Sequence, residues 1–290
     1  MYYQEKSCEL HKITVNALET PSLDYEKSMR IDVSDVTICS LIYKSSTYAD
    51  FLLHGIKKWT PKGYSFYFIA NDPTDELLRH MENNNIPFFL HRNKNPAEWY
   101  IPCVYRAWNY AVEKCETPII VLLNSDMYPS PKWLEGLLKY LTTKTVVTST
   151  LIEPAHRPGF PVFQGMFEGN FGISPKTFNE RAFLEEAKRI RWEGVRRNPG
   201  PYMPLAIYKD VFIKAGKFPE GNLGGTGVSN PGISGDKIFF DKLEIMGVKH
   251  LVSMESIVYH VKEGEDIEGR SYTRSQIKAI FKSILKKCIQ

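Results

Sequence analysis

The sequence predicts an α/β fold built on a largely parallel sheet, and three observations carry that expectation. Apolar runs of strand length alternate with stretches of helical periodicity through the first half of the chain. The run Ile119 to Leu123 is continuously apolar, the pattern of a strand buried on both faces. Two such runs end in polar residues, at Asn71-Asp72 and at Asn124-Ser125-Asp126, and ligands of open α/β sheets bind beyond the carboxyl ends of the strands.

Each element has its own signal. Residues 1–35 are polar, lack sustained periodicity and read as an N-terminal arm. VTICSLIY, from Val36, is the first strand, and the helix STYADFLLHGIKKW follows with Phe51, Leu52, Ile56 and Trp59 on one side. Tyr64 to Ala70 is a second strand; Thr74 or Asp72 then starts a helix carrying Leu77, Leu78 and Met81. Ile86 to Leu90 makes a third strand, and a helix from about Pro102 to Glu116 leads to the apolar run and the helix WLEGLL. Strands alternating with helices imply right-handed crossovers onto a parallel sheet.

The second half is less regular. After the strand TVVTST come prolines at 154, 158 and 161, then a helical segment from about Pro175 to Trp192. Tyr202 to Tyr208 reads as a strand, and the glycine-rich stretch 221–235 as a mobile loop. A helix from Asp236 places Ile238, Phe239, Leu243 and Met246 on one side and stops at Gly247; two short strands, His250 to Val252 and Ser256 to His260, complete the body. The last 20 residues form an amphipathic helix with Lys278, Lys282, Lys286 and Lys287 beside its apolar positions, and residues 261–290 are taken as one unit. Docking of this helix onto the domain is the favoured reading, and peripheral contact with an anionic membrane is the sharper one.

Composition narrows the function classes. A net charge of +4 over 290 residues is too mild to argue for nucleic acid. Cys8, Cys39, Cys103, Cys115 and Cys288 lack close-paired spacing, which argues against a disulfide framework or a zinc site. No leader pattern and no apolar segment of the ~18 residues that span a bilayer is present, so the expected location is cytoplasmic. Lys44-Ser45-Ser46-Thr47 stands where a dehydrogenase would need its glycine fingerprint, and the chain has no Gly-Lys-Ser/Thr phosphate loop.

In order, Tyr43, Asn71-Asp72, Arg106-Ala107-Trp108-Asn109-Tyr110-Ala111, Asn124-Ser125-Asp126, MPLAIYKDVFIKAGKFPE, Gly235-Asp236 and Val258-Tyr259-His260 resemble the motifs of inverting family 2 glycosyltransferases. The resemblance runs from about Val36 to His260 and implies the GT-A fold, a Rossmann-like nucleotide-diphospho-sugar transferase architecture with a mixed, mostly parallel sheet flanked by helices. It divides the body into a nucleotide-sugar half, 36–150, and an acceptor half, 151–260. Asn124 replaces the first acid of the metal motif, as in rhamnosyltransferase-like members, which also carry WLEGLL-type helices; Gly235 replaces the first acid of the catalytic pair. No Gln-any-any-Arg-Trp motif follows, which speaks against a processive synthase.

By this resemblance, Tyr43, Asn71, Asp72, Asn109, Asn124 and Ser125 contact the donor, Asp126 and His260 hold Mn²⁺ or Mg²⁺, and Asp236 is the general base. The implied reaction moves one hexosyl or deoxyhexosyl unit from a UDP- or dTDP-sugar to a hydroxyl of a glycan or glycoconjugate. The chemistry needs these residue types: a departing diphosphate calls for a hard cation, and an attacking hydroxyl for a carboxylate that takes its proton. Plainer roles exist for each. Asp72 and Asp236 could cap helices, and a histidine at a strand end is often only a hydrogen-bonder. A non-catalytic nucleotide-sugar-binding protein of the same fold is the competing function, motivated by Asn71, Asn124 and Gly235.

Overall fold

The computed structural model describes residues 31–93, 100–154, 165–197, 200–224, 232–261 and 264–265. Strand β1 (Val36–Ile42) leads into helix α1 (Ser46–Trp59), and β2 (Ser65–Asn71) into α2 (Asp75–Asn83). The next elements are β3 (Phe88–His91), α3 (Tyr100–Lys114), β4 (Ile119–Asn124), β5 (Met127–Pro129) and α4 (Trp133–Leu138). Then come β6 (Thr145–Glu153), β7 (Met166–Glu168), α5 (Glu180–Ile190), β8 (Val195–Arg197), β9 (Leu205–Tyr208), α6 (Lys209–Lys214), α7 (Gly235–Ile245) and β10 (Lys249–His260). No helix among the described residues is long and apolar enough to cross a membrane.

The strands form one mixed sheet in the order β3-β2-β1-β4-β9-β6-β10-β5, with β7 beside β6 and β8 beside β10. The β3-β2-β1-β4 half is parallel throughout, and β9 runs antiparallel to both β4 and β6. The two faces of the sheet bury separate cores. Ile119, Val121 and Leu123 face one core with Ile38, Ile42 and Phe68, while Ile120 and Leu122 face the other with Cys39, Tyr67 and Ile69. This alternation explains why β4 reads as an unbroken apolar run: every residue meets a core, whichever way it points. Helices α1, α2, α4 and α5 cover the first face, and α3, α6 and α7 the second.

The α1 helix has the predicted bounds, and α3 begins two residues ahead of Pro102, where the first-turn amides lack intrahelical partners anyway. Four expectations need correction. The two strands expected at 250–252 and 256–260 are one strand, because β10 absorbs the intervening residues in an irregularity between Ser253 and Ile257 while staying paired with β6. The helix expected over 175–192 is a 3₁₀ turn, Pro175–Thr177, followed by α5, which Asn179 starts by accepting the Ala182 amide. Strand β9 is shorter than the predicted 202–208. On α7 the buried side is Phe239, Phe240 and Leu243, while Met246 lies past the helix end and is exposed. The N-terminal arm to residue 30, the tip of the glycine-rich stretch at 225–231 and the C-terminal helix fall outside the described residues; within that stretch, Leu223 and Ile233 bridge.

Helix α4 packs against β10 through a close approach at Gly136. A Cβ there would stand 2.6 Å from the Ser256 amide nitrogen and 2.8 Å from the Glu255 carbonyl carbon. Backbone atoms cannot yield as a side-chain tip can, so Gly136→Ala should destabilise the fold by about 1–3 kcal/mol. Urea denaturation measures the loss; unchanged stability would show that this approach is not tight.

Candidate functional site

Three parallel strands deliver their ends to one cavity. β1 ends before Tyr43, β2 ends at Asn71 with Asp72 following, and β4 ends at Asn124 with Ser125 and Asp126 following. All six residues line a cavity of about 330 Å³, walled on one side by Tyr100, Cys103 and Val104 of α3 and on another by Gly264 and Glu265.

Asp72 is not a helix cap. Thr74 starts α2 by accepting the Leu77 amide, so the Asp72 carboxylate is available elsewhere. Its backbone takes a left-handed conformation (φ 50°), which acidic and amide residues tolerate better than most. Asn93 holds the carboxylate: its backbone N–H donates to Oδ1 (2.9 Å) and its Nδ2 to Oδ2 (2.6 Å). The same Nδ2 donates to Asn71 Oδ1 (3.0 Å), which also accepts from His91 Nδ1 (2.9 Å). Asn71 and Asp72 are thus fixed as one polar edge.

Asp126 is joined to His260 from the far half of the chain. The β5–β10 pairing sets His260 opposite Met127, and the Val261 amide donates to the Asp126 carbonyl (2.9 Å). His260 then donates Nε2–H to Asp126 Oδ2 (3.0 Å) and Nδ1–H to Glu153 Oε1 (2.6 Å). Burial alone would lower the imidazole pKa, but the two carboxylates outweigh it and push it up to about 10. Asp126 Oδ1 is shielded from solvent and has no hydrogen-bond partner among the described residues.

That orphaned oxygen is the test of whether a metal fits. Leaving a buried carboxylate oxygen unpaired is costly, and a hard cation is the partner such an atom suits. Among the described residues no group of three or more His, Cys, Asp or Glu side chains is arranged to hold a metal alone. Magnesium-type sites do not need one, since they use one or two protein ligands and complete the shell with water and substrate phosphate. Glu153 behind His260 supplies the outer carboxylate that commonly orients a metal-binding imidazole.

Two predicted site residues stand apart from this cavity. Asn109 is engaged with the chain after α6: its Nδ2 donates to the Phe218 carbonyl (2.9 Å) and its Oδ1 accepts the Phe218 amide (3.0 Å). Asp236 sits in the first turn of α7 and is not in the cavity lining; its amide donates to the Tyr105 hydroxyl (3.0 Å). Ser234, not Asp236, caps this helix. Burial pushes the Asp236 carboxyl up to about 6, against a hydrogen bond from Tyr105 that favours the ionised form. Gly235 is forced by the same contact, since a Cβ there would stand 2.6 Å from the Tyr105 ring.

Sequence reasoning missed Glu153, Asn93 and Glu265. Glu153 carried a usable signal, an acid closing an apolar run, as at Asp72 and Asp126. Asn93 and Glu265 lie in polar stretches with nothing to set them apart.

A sequence profile of the family described as Glycosyl transferase family 2 matches residues 37–160. These residues run from β1 to just past β6 and include every strand end of the cavity. No curated protein matches the chain. Among solved structures, GalNAc-T7 with UDP, GalNAc and Mn²⁺ is 16% identical over 86% of this chain, with a TM-score of 0.52. S. aureus TarS 1-349 is 12% identical over 86% of this chain and 70% of its own, with a TM-score of 0.51. The fold is the GT-A fold. The chain spans 48% of the GalNAc-T7 chain, so the likeness concerns one GT-A body and not the larger protein.

The Asp126–His260–Glu153 triad should be visible in stability. Removing one member of a fully buried ion pair costs ~3–5 kcal/mol. These side chains keep 18–22% of their surface exposed, so the effect is discounted. His260→Ala in chelator-treated protein should lose about 2 kcal/mol in urea denaturation, because two carboxylates then face each other without a cation. Unaltered stability would mean that the triad is not formed.

Proposed function

We propose that the protein is a sugar transferase that takes a nucleotide-diphosphate sugar, UDP- or dTDP-linked, and passes the sugar to an acceptor hydroxyl with inversion. The observation that carries this reading is the orphaned Asp126 Oδ1 beside His260, in a cavity where three strand ends converge. The match over residues 37–160 and the GT-A fold support it, as does the Mn²⁺ in the GalNAc-T7 complex.

In this reading Asp126 and His260 would hold Mn²⁺ or Mg²⁺; His260 would give up its Nε2 proton to solvent as the ion is taken up and keep its Nδ1–H on Glu153. A bound divalent ion supplies the positive charge that stabilises the departing diphosphate. Asn71 and Asp72, locked by Asn93, present one acceptor-rich edge for the N–H groups of a base or the hydroxyls of a ribose. Tyr43 and Asn124 flank the same cavity, and Ser125 adds a hydroxyl.

Asp236 takes the proton of the acceptor hydroxyl. As the acceptor oxygen forms its bond to the anomeric carbon, the bond from that carbon to the diphosphate oxygen breaks and the nucleoside diphosphate leaves with the electron pair. One displacement with one base inverts the centre. A carboxyl near 6 is ionised at neutral pH and more basic than an ordinary aspartate, which suits a general base. The acceptor is a glycan or glycoconjugate in the half beyond β6, with Trp192 and Phe167 as regional candidates for stacking.

The first test is release of nucleoside diphosphate when the full chain meets a panel of donor sugars with Mn²⁺. Tight donor binding without turnover on any acceptor would favour the non-catalytic binder. Mn²⁺ should raise the melting temperature of the native protein and leave that of Asp126→Asn unchanged, by the mass-action stabilisation a specific ion gives. An equal rise in both would remove Asp126 from the metal site.

Asp236→Asn should keep donor binding and slow transfer by about 10²–10⁴-fold, the usual worth of a general base. The native rate should fall as pH drops below about 6, where Asp236 becomes protonated, and should be level above it. A variant with full activity, or a pH profile that the substitution does not alter, rejects the base assignment.

A further inference from the structure

The donor cavity contains a carboxylate from the chain's own C-terminal side. Glu265 Oε2 accepts three successive backbone N–H groups, from Tyr43 (3.1 Å), Lys44 (2.8 Å) and Ser45 (3.0 Å). Glu265 Oε1 accepts the Ser125 hydroxyl (2.6 Å). Consecutive amides aimed at one point form a nest for an anion. These amides immediately precede α1, a 14-residue helix with Ser45 at its N-cap and no acid in its first turn, so the carboxylate lies at the positive end of the helix dipole.

Gly264, the residue before Glu265, lies close to Asp126: a Cβ built on it would stand 3.8 Å from Asp126 Oδ2. Gly264 and Glu265 both lie on the wall of the cavity that holds Asn71, Asp72 and Asn124. Burial pushes the Glu265 carboxyl pKa up, and the bonds from Ser125 and the three amides only partly offset this. The carboxylate is therefore not in its most comfortable setting. It uses donors that the oxygens of an entering ligand would otherwise take.

We propose that Glu265 is an internal competitor for the donor pocket, its carboxylate filling the amide nest at 43–45 in the ligand-free protein and leaving when a nucleoside diphosphate binds. The inference rests on the donor-pocket reading above and adds to it a contact that keeps the pocket closed. It differs from two other roles for the same residue. A fixed cap of α1 would never leave the nest, and a donor-binding residue would strengthen nucleotide affinity instead of opposing it.

Two measurements on the full chain decide it. Titration calorimetry with UDP, GDP and dTDP, each with Mn²⁺, compares the native protein with Glu265→Ala and Glu265→Gln. If the open form is about a tenth of the native population, the apparent affinity is reduced about tenfold. Glu265→Ala should then bind the preferred nucleotide about tenfold tighter, with Glu265→Gln between the two. Equal binding, or weaker binding by the alanine variant, overturns the proposal.

Amide exchange at Tyr43, Lys44 and Ser45, followed by NMR, needs no nucleotide. The three amides should exchange faster in Glu265→Ala than in the native protein, and equal rates would show that Glu265 does not occupy the nest. If no nucleotide binds any of the three proteins, the donor reading falls, and the exchange rates alone decide whether Glu265 seals the nest.

Discussion

The ligand-binding edge of this protein depends on the pairing of β10 with its neighbours. β10 runs parallel to β6 for most of its length and ends antiparallel to β5, so residue 260 comes to lie opposite residue 127. That register brings Asp126 together with a side chain more than a hundred positions later. It is enforced from the opposite face by Tyr259, whose hydroxyl donates to the Gly172 carbonyl (2.5 Å) and accepts the Phe171 amide (3.0 Å). A one-residue slip would exchange Tyr259 and His260 between faces, placing a buried aromatic in the polar cavity and a cation in an aromatic cluster. The aromatic packing around Tyr259, with Phe171, Phe178 and Phe183, is therefore what aims His260.

How much of this could be read from the sequence followed from how local each cause is. The bounds of α1 and the ends of β1, β2 and β4 are set by side-chain periodicity and by polar residues at strand ends, and these are visible along the chain. The sequence pattern divides β10 in two because Ser253 and Glu255 interrupt its apolar run. In the fold Ser253 and Ser256 are buried polar residues: Ser256 Oγ bonds Ser149 Oγ (2.7 Å), and Ser253 Oγ accepts the amides of Glu255 and Ser256 (both 3.3 Å). Polarity there serves hydrogen bonds inside the irregularity of one strand, and the sequence pattern does not distinguish such an irregularity from a loop between two strands. The misplaced face of α7 has a similar origin. Met246 fits the helical spacing, but the helix stops at Ile245 and Gly247 turns the chain with a positive φ.

The site divides along the same line. Six predicted residues reach one cavity because each follows a strand, and parallel strands end on the same side by topology. Asn109 follows no strand, and its position on a buried helix face gives its amide a different task, bracketing Phe218 where the chain leaves α6. Asp236 is not among the residues that line the cavity; its amide is bonded to Tyr105 of α3, the residue after Val104 on the cavity wall. Glu153 and Asn93 act through other residues, holding His260 and Asp72, and such supporting contacts exist only in three dimensions.

Charge explains why these parts belong together. Asp72, Asp126 and Glu265 all face the cavity, Glu153 stands behind His260, and the imidazolium is the cation placed among them. A diphosphate could not enter so negative a space unaided, because like charges at close range in a partly dry site repel by several kcal/mol. On the proposed function two changes would relieve this: a divalent ion at Asp126 and His260 would bring positive charge in, and departure of Glu265 would take a negative charge out. Asn124 fits the same balance. With a neutral amide in place of an acid, the cavity holds one charge fewer, and the ion is left to rely on Asp126, His260 and the oxygens of the donor. A site of this kind would bind its cation weakly alone and firmly with its ligand, so that on the proposed function metal and nucleotide would each raise the other's affinity.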